Sequence, residues 1–362
     1  MQTECFRGHQ TQMEFEQRRL GCYYSKLMPI VQMRSSAAIM PLQQIRDHTP
    51  SAQLLRISPD NAEQRLDNFL FNRLKGVPKS RIYRMVRKGE VRVNRGRKSV
   101  QYRLQAGDIV RVPPVRIASQ PTAMVPHAIL QERVAKRIIY EDAHIMIVNK
   151  PAGLAVHGGS GLSFGLIEGL RQLRPDHSFL ELVHRLDRDT SGCLLVAKKR
   201  SALRKLHELF RSGRVDKRYL VLLSGAWDRK KATVDAPLEK NVRKSGERMV
   251  VVSKAGKTAR TGFTRMLCFN NATLVQAQPK TGRTHQIRVH AACLGHPVAG
   301  DERYGEAGTN RDWRRKGLKR LFLHAAHLRF IHPQSGQPIR IEAPLDRELA
   351  DFLHYLKHEK PI

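Results

Sequence analysis

The chain has 362 residues, of which 41% are hydrophobic, and its 65 Lys and Arg residues outnumber 32 Asp and Glu. The net charge of +33 predicts a polyanionic partner, either nucleic acid or an acidic membrane surface. No apolar run reaches the roughly 18 residues of a membrane span, and the N-terminus does not predict a secretory signal. The five cysteines include no C-x-x-C pair, which argues against a disulfide framework and a cysteine zinc site. We therefore expect a cytoplasmic protein.

The N-terminal segment, residues 1–53, shows no sustained hydrophobic period. Pro29, Pro41 and Pro50 would interrupt any long helix there. We therefore predict a disordered extension, and Met40 is one of several later methionines at which translation could begin.

Residues 54–116 predict a small basic domain of two helices and short strands. Leu66, Leu70 and Leu74 lie on one face of a first helix. A second helix, residues 80–88, carries basic side chains on its outer face, namely Arg81, Arg84 and Lys88. From residue 65 to residue 116 there are 15 Lys and Arg against 3 Asp and Glu, a net charge of +12. A charge of this size along one face favours phosphate binding.

A linker, residues 117–134, precedes a larger domain that we assign to residues 135–362. Its strand patterns outnumber its helix patterns and do not alternate regularly with them. This order predicts an α+β fold with a largely antiparallel mixed sheet. Residues 305–320 are basic and rich in glycine, and we predict a mobile insertion there.

A polar segment, His184–Gly192, lies between two apolar runs that have the length and composition of strands. In the simplest interpretation it is a charged turn whose carboxylates are satisfied by Arg185 and Arg188. If Asp187 instead lies in a closed site, it requires a cationic partner, because burying an unpaired ion costs several kcal/mol. A guanidinium fits best, and the candidates are Arg185, Arg188, Arg283 and Arg288.

Two other motifs match known chemistry weakly. Gly161-Leu-Ser-Phe-Gly165 fits the nucleophile elbow of α/β-hydrolases, but the buried strand that this motif requires does not precede it. His324 and His327 could ligate a metal only with a third partner. They fit a core strand better, in which positions i and i+3 face opposite sides.

Three stretches resemble known families. HRLDRDTSG, residues 184–192, resembles the catalytic stretch of the RluA-type pseudouridine synthases, and TGRTHQIRVH, residues 281–290, resembles a second motif of that family. RLDNFLFNRLKGVPKSRIYRMVRKGEVRVN, residues 65–94, resembles the S4 RNA-binding domain. The resemblance implies a small S4-type domain, whose helices dock on structured RNA, followed by a pseudouridine synthase domain.

The resemblance also implies roles for individual residues. Asp187 would be the nucleophile and Arg288 its ion-pair partner. Tyr219 would pack under the target base and act in catalysis, although its position alone favours a core aromatic at a strand start. Arg185 would enter the RNA helix where the flipped uridine had been, a role that suits a planar cation.

Two further residues, Arg283 and His285, would lie in or near the RNA site by the same resemblance. The implied activity is conversion of uridines in 23S ribosomal RNA to pseudouridine. We expect no metal and no organic cofactor, since one molecule is both leaving group and acceptor, and we expect a monomer. The alternative is a non-catalytic RNA-binding protein of the ribosome with a degenerate synthase domain.

Overall fold

The computed structural model describes residues 52–74, 76–115, 132–158, 164–177, 179–242 and 248–359. The predicted extension lies outside the described residues as far as residue 51, and Gln53 is already the first residue of a strand. Residues 116–131, most of the predicted linker, also lie outside them. Among the helices that are described, none is both long and apolar enough to cross a membrane.

The N-terminal domain consists of five elements: β1 (Gln53–Arg56), α1 (Leu66–Arg73), α2 (Lys79–Arg87), β2 (Arg92–Val93) and β3 (Ile109–Val112). The strands form an antiparallel sheet in the order β1-β3-β2. Leu70 of α1 and Ile82 of α2 are completely buried in one cluster, as their helical spacing predicts. On the opposite face of α2, Arg84 is exposed and Arg81 is half-buried, so this face presents a basic surface.

The C-terminal domain begins with the elements β4 (Ile138–Glu141), β5 (Ile145–Lys150), α3 (Leu166–Leu173), β6 (Glu181–Leu182), β7 (Ser191–Ala197), α4 (Arg200–Arg211) and β8 (Asp216–Ser224). It continues with β9 (Lys231–Asp235), β10 (Leu238–Val242), β11 (Arg248–Val252), β12 (Arg260–Phe269) and β13 (Ala272–Pro279). It ends with α5 (Gln286–Cys293), α6 (Ala307–Arg315), β14 (Leu323–Ile331), β15 (Pro338–Glu342) and α7 (Arg347–His358).

A ten-stranded sheet organises this domain. Eight strands follow the order β4-β5-β7-β14-β8-β13-β12-β9, while β6 pairs with β7 and β15 pairs with β14. Strands β7 and β14 are parallel, and the other described pairs of the sheet are antiparallel. Gly192 permits the parallel contact, because a Cβ there would overlap the carbonyl oxygen of Ala325. The prediction of a mixed, largely antiparallel sheet is confirmed.

Strand β7 is buried on both faces. Its Leu194 and Val196 pack with Met146 in one cluster, while Cys193 and Leu195 pack in another. Complete burial of an apolar side chain of this size contributes about 1.5–3 kcal/mol. The apolar run that follows the polar segment is therefore a central strand, and it holds the end of that segment in place.

The prediction of a mobile insertion at residues 305–320 is wrong where α6 forms. Trp313 of α6 is 3% exposed and packs edge-on against Phe352, with ring centroids 6.1 Å apart. Its Nε1 donates to Oγ of Ser224 at 3.1 Å. Trp313 thus packs α6 against the core, although the glycines and charges of the segment do not predict a helix there.

Candidate active site

A cavity of about 260 Å³ opens between three pieces of the C-terminal domain. They are the turn between β6 and β7, the first residues of β8, and the segment that enters α5. The predicted site residues that line this cavity are Asp187, Tyr219, Arg288, Arg185, Arg283 and His285. The structure thus brings together six residues that are spread over about a hundred positions of the chain. The other predicted RNA-binding residues, Arg81, Arg84 and Lys88, belong to the N-terminal domain.

The Asp187 side chain lies at the bottom of the turn and is 25% exposed. Its Oδ2 is 3.9 Å from Nη1 of Arg288 and 3.9 Å from Nε2 of His285. The expected partner is therefore present, but the pair is not a tight hydrogen-bonded one. Because the cavity is open, Asp187 retains contact with water and does not need the close pairing that a closed site would demand.

Arg288 forms its close ion pair with Asp301 instead. Its Nε and Nη2 each donate to Asp301 at 2.7 Å, in a bidentate arrangement. Backbone N–H groups of Arg303 and Tyr304 donate to the same carboxylate at 3.0 and 3.1 Å. Burial opposes ionisation of Asp301, yet these hydrogen bonds and the charge of Arg288 lower its pKa. Sequence reasoning missed Asp301, and we find no motif in the sequence that would have revealed it.

His285 and Gln286 shape the segment that enters α5. His285 has a left-handed backbone with φ of 53°, and its Nδ1 is 2.8 Å from the Tyr304 hydroxyl. Burial lowers the pKa of His285, and the charge of Asp187 partly opposes this. The Gln286 side-chain oxygen accepts from the Thr281 hydroxyl at 2.6 Å and from the Arg283 N–H at 3.0 Å. The buried amide of Gln286 therefore fixes this wall of the cavity.

The other candidate arginines have partners other than Asp187. Arg188 pairs with Asp189 at 3.2 Å, and their side chains are 61% and 47% exposed. Arg185 is exposed at the cavity rim and donates to the Thr284 hydroxyl at 2.8 Å. Arg283 is exposed and donates from Nε to the Thr258 carbonyl at 3.1 Å. The simplest interpretation therefore fits Asp189 but not Asp187.

The buried Lys150, which was not predicted from the sequence, supports the turn that contains Asp187. Nζ of Lys150 donates to the carbonyls of Pro151, Leu154 and Arg188 at 2.9, 2.8 and 2.9 Å. Burial lowers the pKa of Lys150 to about 7, while the charges of Asp189 and Asp187 act in the opposite direction. Three acceptors match the three N–H groups of an ammonium. Lys150 therefore ties the backbone next to Asp187 to the end of β5.

Tyr219 lies in β8, opposite Ala277 of β13 and Ala325 of β14. Its ring packs against apolar clusters on both sides of the cavity floor. Burial raises its pKa, with a further contribution from the charge of Asp187. Tyr219 is thus both the core aromatic that its position suggests and a residue that faces the cavity.

Two groups of metal-ligand type outside the cavity have structural partners. His324 is completely buried and bonds to the Ser191 hydroxyl and the Ala343 carbonyl, so it belongs to the core strand. Asp142, His144 and His332 are the one potential metal cluster among the described residues. Nδ1 of His332 accepts from the Ser335 N–H at 3.0 Å, so Nε2 carries the proton and faces Asp142 at 3.0 Å. Since both ring nitrogens of His332 face protein groups, this arrangement fits a structural contact better than a metal site.

Comparisons with known proteins identify the class. Residues 144–293 match the family model described as RNA pseudouridylate synthase, and residues 64–110 match the S4 domain. A solved structure of the human RNA pseudouridylate synthase domain containing 4 aligns with a TM-score of 0.52 at 25% identity. This alignment covers 65% of the present chain and 98% of the human one. The matched family model therefore gives the class, an isomerase that acts on RNA.

The family follows from closely similar relatives. Ribosomal large subunit pseudouridine synthase C of Salmonella typhimurium is 56% identical over 326 residues, covering 87% of this chain and all of the relative. The protein of that name from Escherichia coli K12 is 55% identical over 319 residues, again covering 87% of this chain and all of the relative. The chain belongs to the pseudouridine synthase family.

Proposed function

We propose that the protein converts specific uridines of 23S ribosomal RNA to pseudouridine, with Asp187 as the nucleophile, and that it acts as a cytoplasmic monomer. The names of the relatives support the large ribosomal subunit as substrate. The observation that carries the proposal is the cavity in which Asp187, Tyr219, His285 and Arg288 meet. Ligand pockets usually measure about 300–1,000 Å³, so a cavity of about 260 Å³ suits one nucleotide rather than a helix.

The reaction breaks the N1–C1′ glycosidic bond, turns the uracil and joins its C5 to C1′. The hydrogen on C5 is lost to solvent, and N1 gains a proton, so no atom is left over. Asp187 attacks either the sugar or the base. The detached base must stay in place while it turns, and a site that holds its reactants in this way replaces an external co-reactant. For this reason the proposal includes no metal and no organic cofactor.

The target uridine must leave the RNA stack, because a small cavity cannot admit a paired base. Arg185 is suited to fill the gap, since it is exposed at the rim and tethered by Thr284. Its planar guanidinium can stack between bases and donate hydrogen bonds. The basic face of α2, with Arg81 and Arg84, and Lys88 directly after the helix would bind phosphates of structured RNA.

The test compares the two acids of the turn. Asp187→Asn should abolish pseudouridine formation, since covalent catalysis fails without its nucleophile, while RNA binding survives because amide and carboxylate have similar shapes. Asp189→Asn is the matched control. Its exposed pair with Arg188 contributes at most about 1 kcal/mol, so we expect activity to persist.

Tritium release from RNA labelled at uridine C5 measures turnover, and filter binding measures affinity. An inactive Asp189→Asn enzyme beside an active Asp187→Asn enzyme would overturn the assignment of the nucleophile. A wild-type enzyme that forms no pseudouridine in 23S RNA would favour the non-catalytic alternative.

A further inference from the structure

A groove leads out of the cavity along its edge. A second depression of about 170 Å³ shares Phe210, Lys217 and Pro279 with the cavity as common walls. Beyond these three residues, the depression is lined by two basic residues, Arg214 and Lys280, by Asp216, and by the uncharged Gly213, Val215 and Gln278. The depression therefore adjoins the cavity that contains Asp187 and carries two further basic side chains.

Lys217 stands where the cavity passes into the groove. It lies two positions before Tyr219 in β8, and alternate residues of a strand face the same side. Its ammonium is 5.8 Å from the centre of the Phe210 ring. On the same wall, His184 stacks on Phe210 at 5.0 Å. Burial lowers the pKa of His184 to about 3, and the charge of Lys217 adds to this effect. His184 is thus neutral and does not repel the Lys217 ammonium.

The Lys217 ammonium lacks an anionic partner. Burial lowers its pKa, and no described residue accepts a hydrogen bond from it or approaches it with a carboxylate. The neighbouring Asp216 is occupied by Arg218 at 2.9 Å and by the Gln278 amide at 2.7 Å. A half-buried cation without an acceptor is unfavourable unless a ligand supplies one.

Two other buried lysines show what a satisfied ammonium looks like in this fold. Lys150 donates to three carbonyls. Lys198, whose side chain is 8% exposed, pairs with Glu141 at 2.7 Å. Lys217 differs from both because its ammonium faces the rim of the cavity and the groove.

We propose that Lys217 binds a phosphodiester next to the target uridine and so guides the RNA strand out through the groove. This inference rests on the proposed function. A lysine is a mobile point charge that suits a phosphate oxygen, and Lys280 and Arg214 extend the basic path beyond it. Lys217 is a positioning residue, and it holds the strand while the base turns in the cavity.

The test pairs protein variants with backbone-modified RNA. The substrates are a 23S fragment that the wild-type enzyme modifies and derivatives with one uncharged methylphosphonate at each linkage around the target. Single-turnover pseudouridine formation at several enzyme concentrations gives the half-saturating concentration and the maximal rate. On unmodified RNA, Lys217→Gln should raise the half-saturating concentration about tenfold to a hundredfold, as for a lost charged hydrogen bond. The salt dependence of affinity should flatten by about 0.7 log units per log salt.

The decisive result is the interaction between the two changes. At one linkage the methylphosphonate should weaken the wild-type enzyme but have no further effect on Lys217→Gln, and Lys217→Arg should restore most of the affinity. The control is Lys205→Gln. Lys205 is exposed, and its ammonium donates to the Pro333 carbonyl. At every linkage, the effect of the methylphosphonate on affinity should be the same for this variant as for the wild-type enzyme, so that the two changes are additive. Additive losses at every linkage for Lys217→Gln would show a structural role and overturn the inference. A wild-type enzyme that modifies no 23S RNA would instead refute the proposed function, and the assigned ligand of Lys217 with it.

Discussion

Asp301 is the residue whose removal tests the site geometry most directly. In Asp301→Asn the side chain keeps its shape, but an NH2 group must face one of the two donors of Arg288. The guanidinium side chain is 9% exposed, so it cannot recover the lost bond from water. Breaking a buried pair on one side costs about 3–5 kcal/mol. Because the amide oxygen can still accept one bond, we expect roughly 3 kcal/mol. For a domain of this size that loss lowers the melting temperature by roughly 6–12 °C.

Activity should fall as well, because Asp301 fixes the distance between Arg288 and Asp187. A displacement of about 1 Å in a catalytic site can reduce the rate about a hundredfold. We therefore expect a tenfold to hundredfold loss in the rate of pseudouridine formation, measured by tritium release under single-turnover conditions. Asp312→Asn is the matched control. Its pair with Arg315 is 3.2 Å long between side chains that are 64% and 79% exposed, and we expect stability to change by less than about 0.5 kcal/mol.

The stability that Asp301 contributes should depend on pH in a defined direction. The folded-state pKa of Asp301 is lower than its usual value, so the folded protein binds fewer protons at this site than the unfolded chain does. The contribution of the carboxylate is therefore complete above the unfolded pKa of about 3.9 and is lost as the pH falls through the folded pKa. The difference in melting temperature between wild type and Asp301→Asn should be constant near pH 7 and shrink below about pH 4. A difference that is absent at pH 7, or that does not change with acid, would refute the reasoning.

Three further predictions follow from other parts of the molecule. Replacing two exposed residues, Arg84 of α2 and Lys88 directly after it, with Gln should flatten the salt dependence of RNA affinity by roughly 0.7–0.9 log units for each lost phosphate contact. Filter binding at several salt concentrations would show an unchanged slope if these residues do not contact RNA. Truncation to Met40 should leave melting temperature and activity unaltered, since that segment has no periodic apolar face; a large loss of either would contradict the prediction of disorder. Lys150→Met should cost at least roughly 3 kcal/mol in denaturant unfolding, because three carbonyls lose their donor; a loss below about 1 kcal/mol would show that water replaces the ammonium.

The spacing of hydrophobic residues along the sequence was sufficient to predict much of the fold. Leu66, Leu70 and Leu74 repeat at helical spacing and are buried, and the apolar run after Gly192 is strand β7. Short strands were harder: β9, β10 and β11 were not predicted. Each has only five residues, and in β9 and β10 three of the five are polar. Helix α6 was missed for a related reason, since Trp313 is its one buried apolar side chain and Asn310 is its other buried residue.

The site was predictable only where motif and chemistry lie close together in sequence. Asp187, Arg288 and His285 belong to recognisable stretches, and the structure gathers them in one cavity. Asp301 and Lys150 were not found, because each acts on a residue 13 to 38 positions away. Their contacts form only in the folded domain, where the end of β5 lies next to the turn and the segment after α5 packs on Arg288.

The placement of Arg288 links the folded structure to the proposed chemistry of Asp187. Asp301 holds the guanidinium by two bonds of 2.7 Å, which leaves Nη1 directed at Asp187 from 3.9 Å. A positive charge at that distance still attracts a carboxylate by about 4 kcal/mol at an effective dielectric constant of about 20. It does so without the short bidentate bonds that would tie up both oxygens of a nucleophile. The Asp301–Arg288 ion pair thus orients the guanidinium, and the longer Arg288–Asp187 contact supplies the attraction to Asp187. We assign the positioning role to Asp301 because its two short bonds, and not the 3.9 Å contact with Asp187, hold the guanidinium.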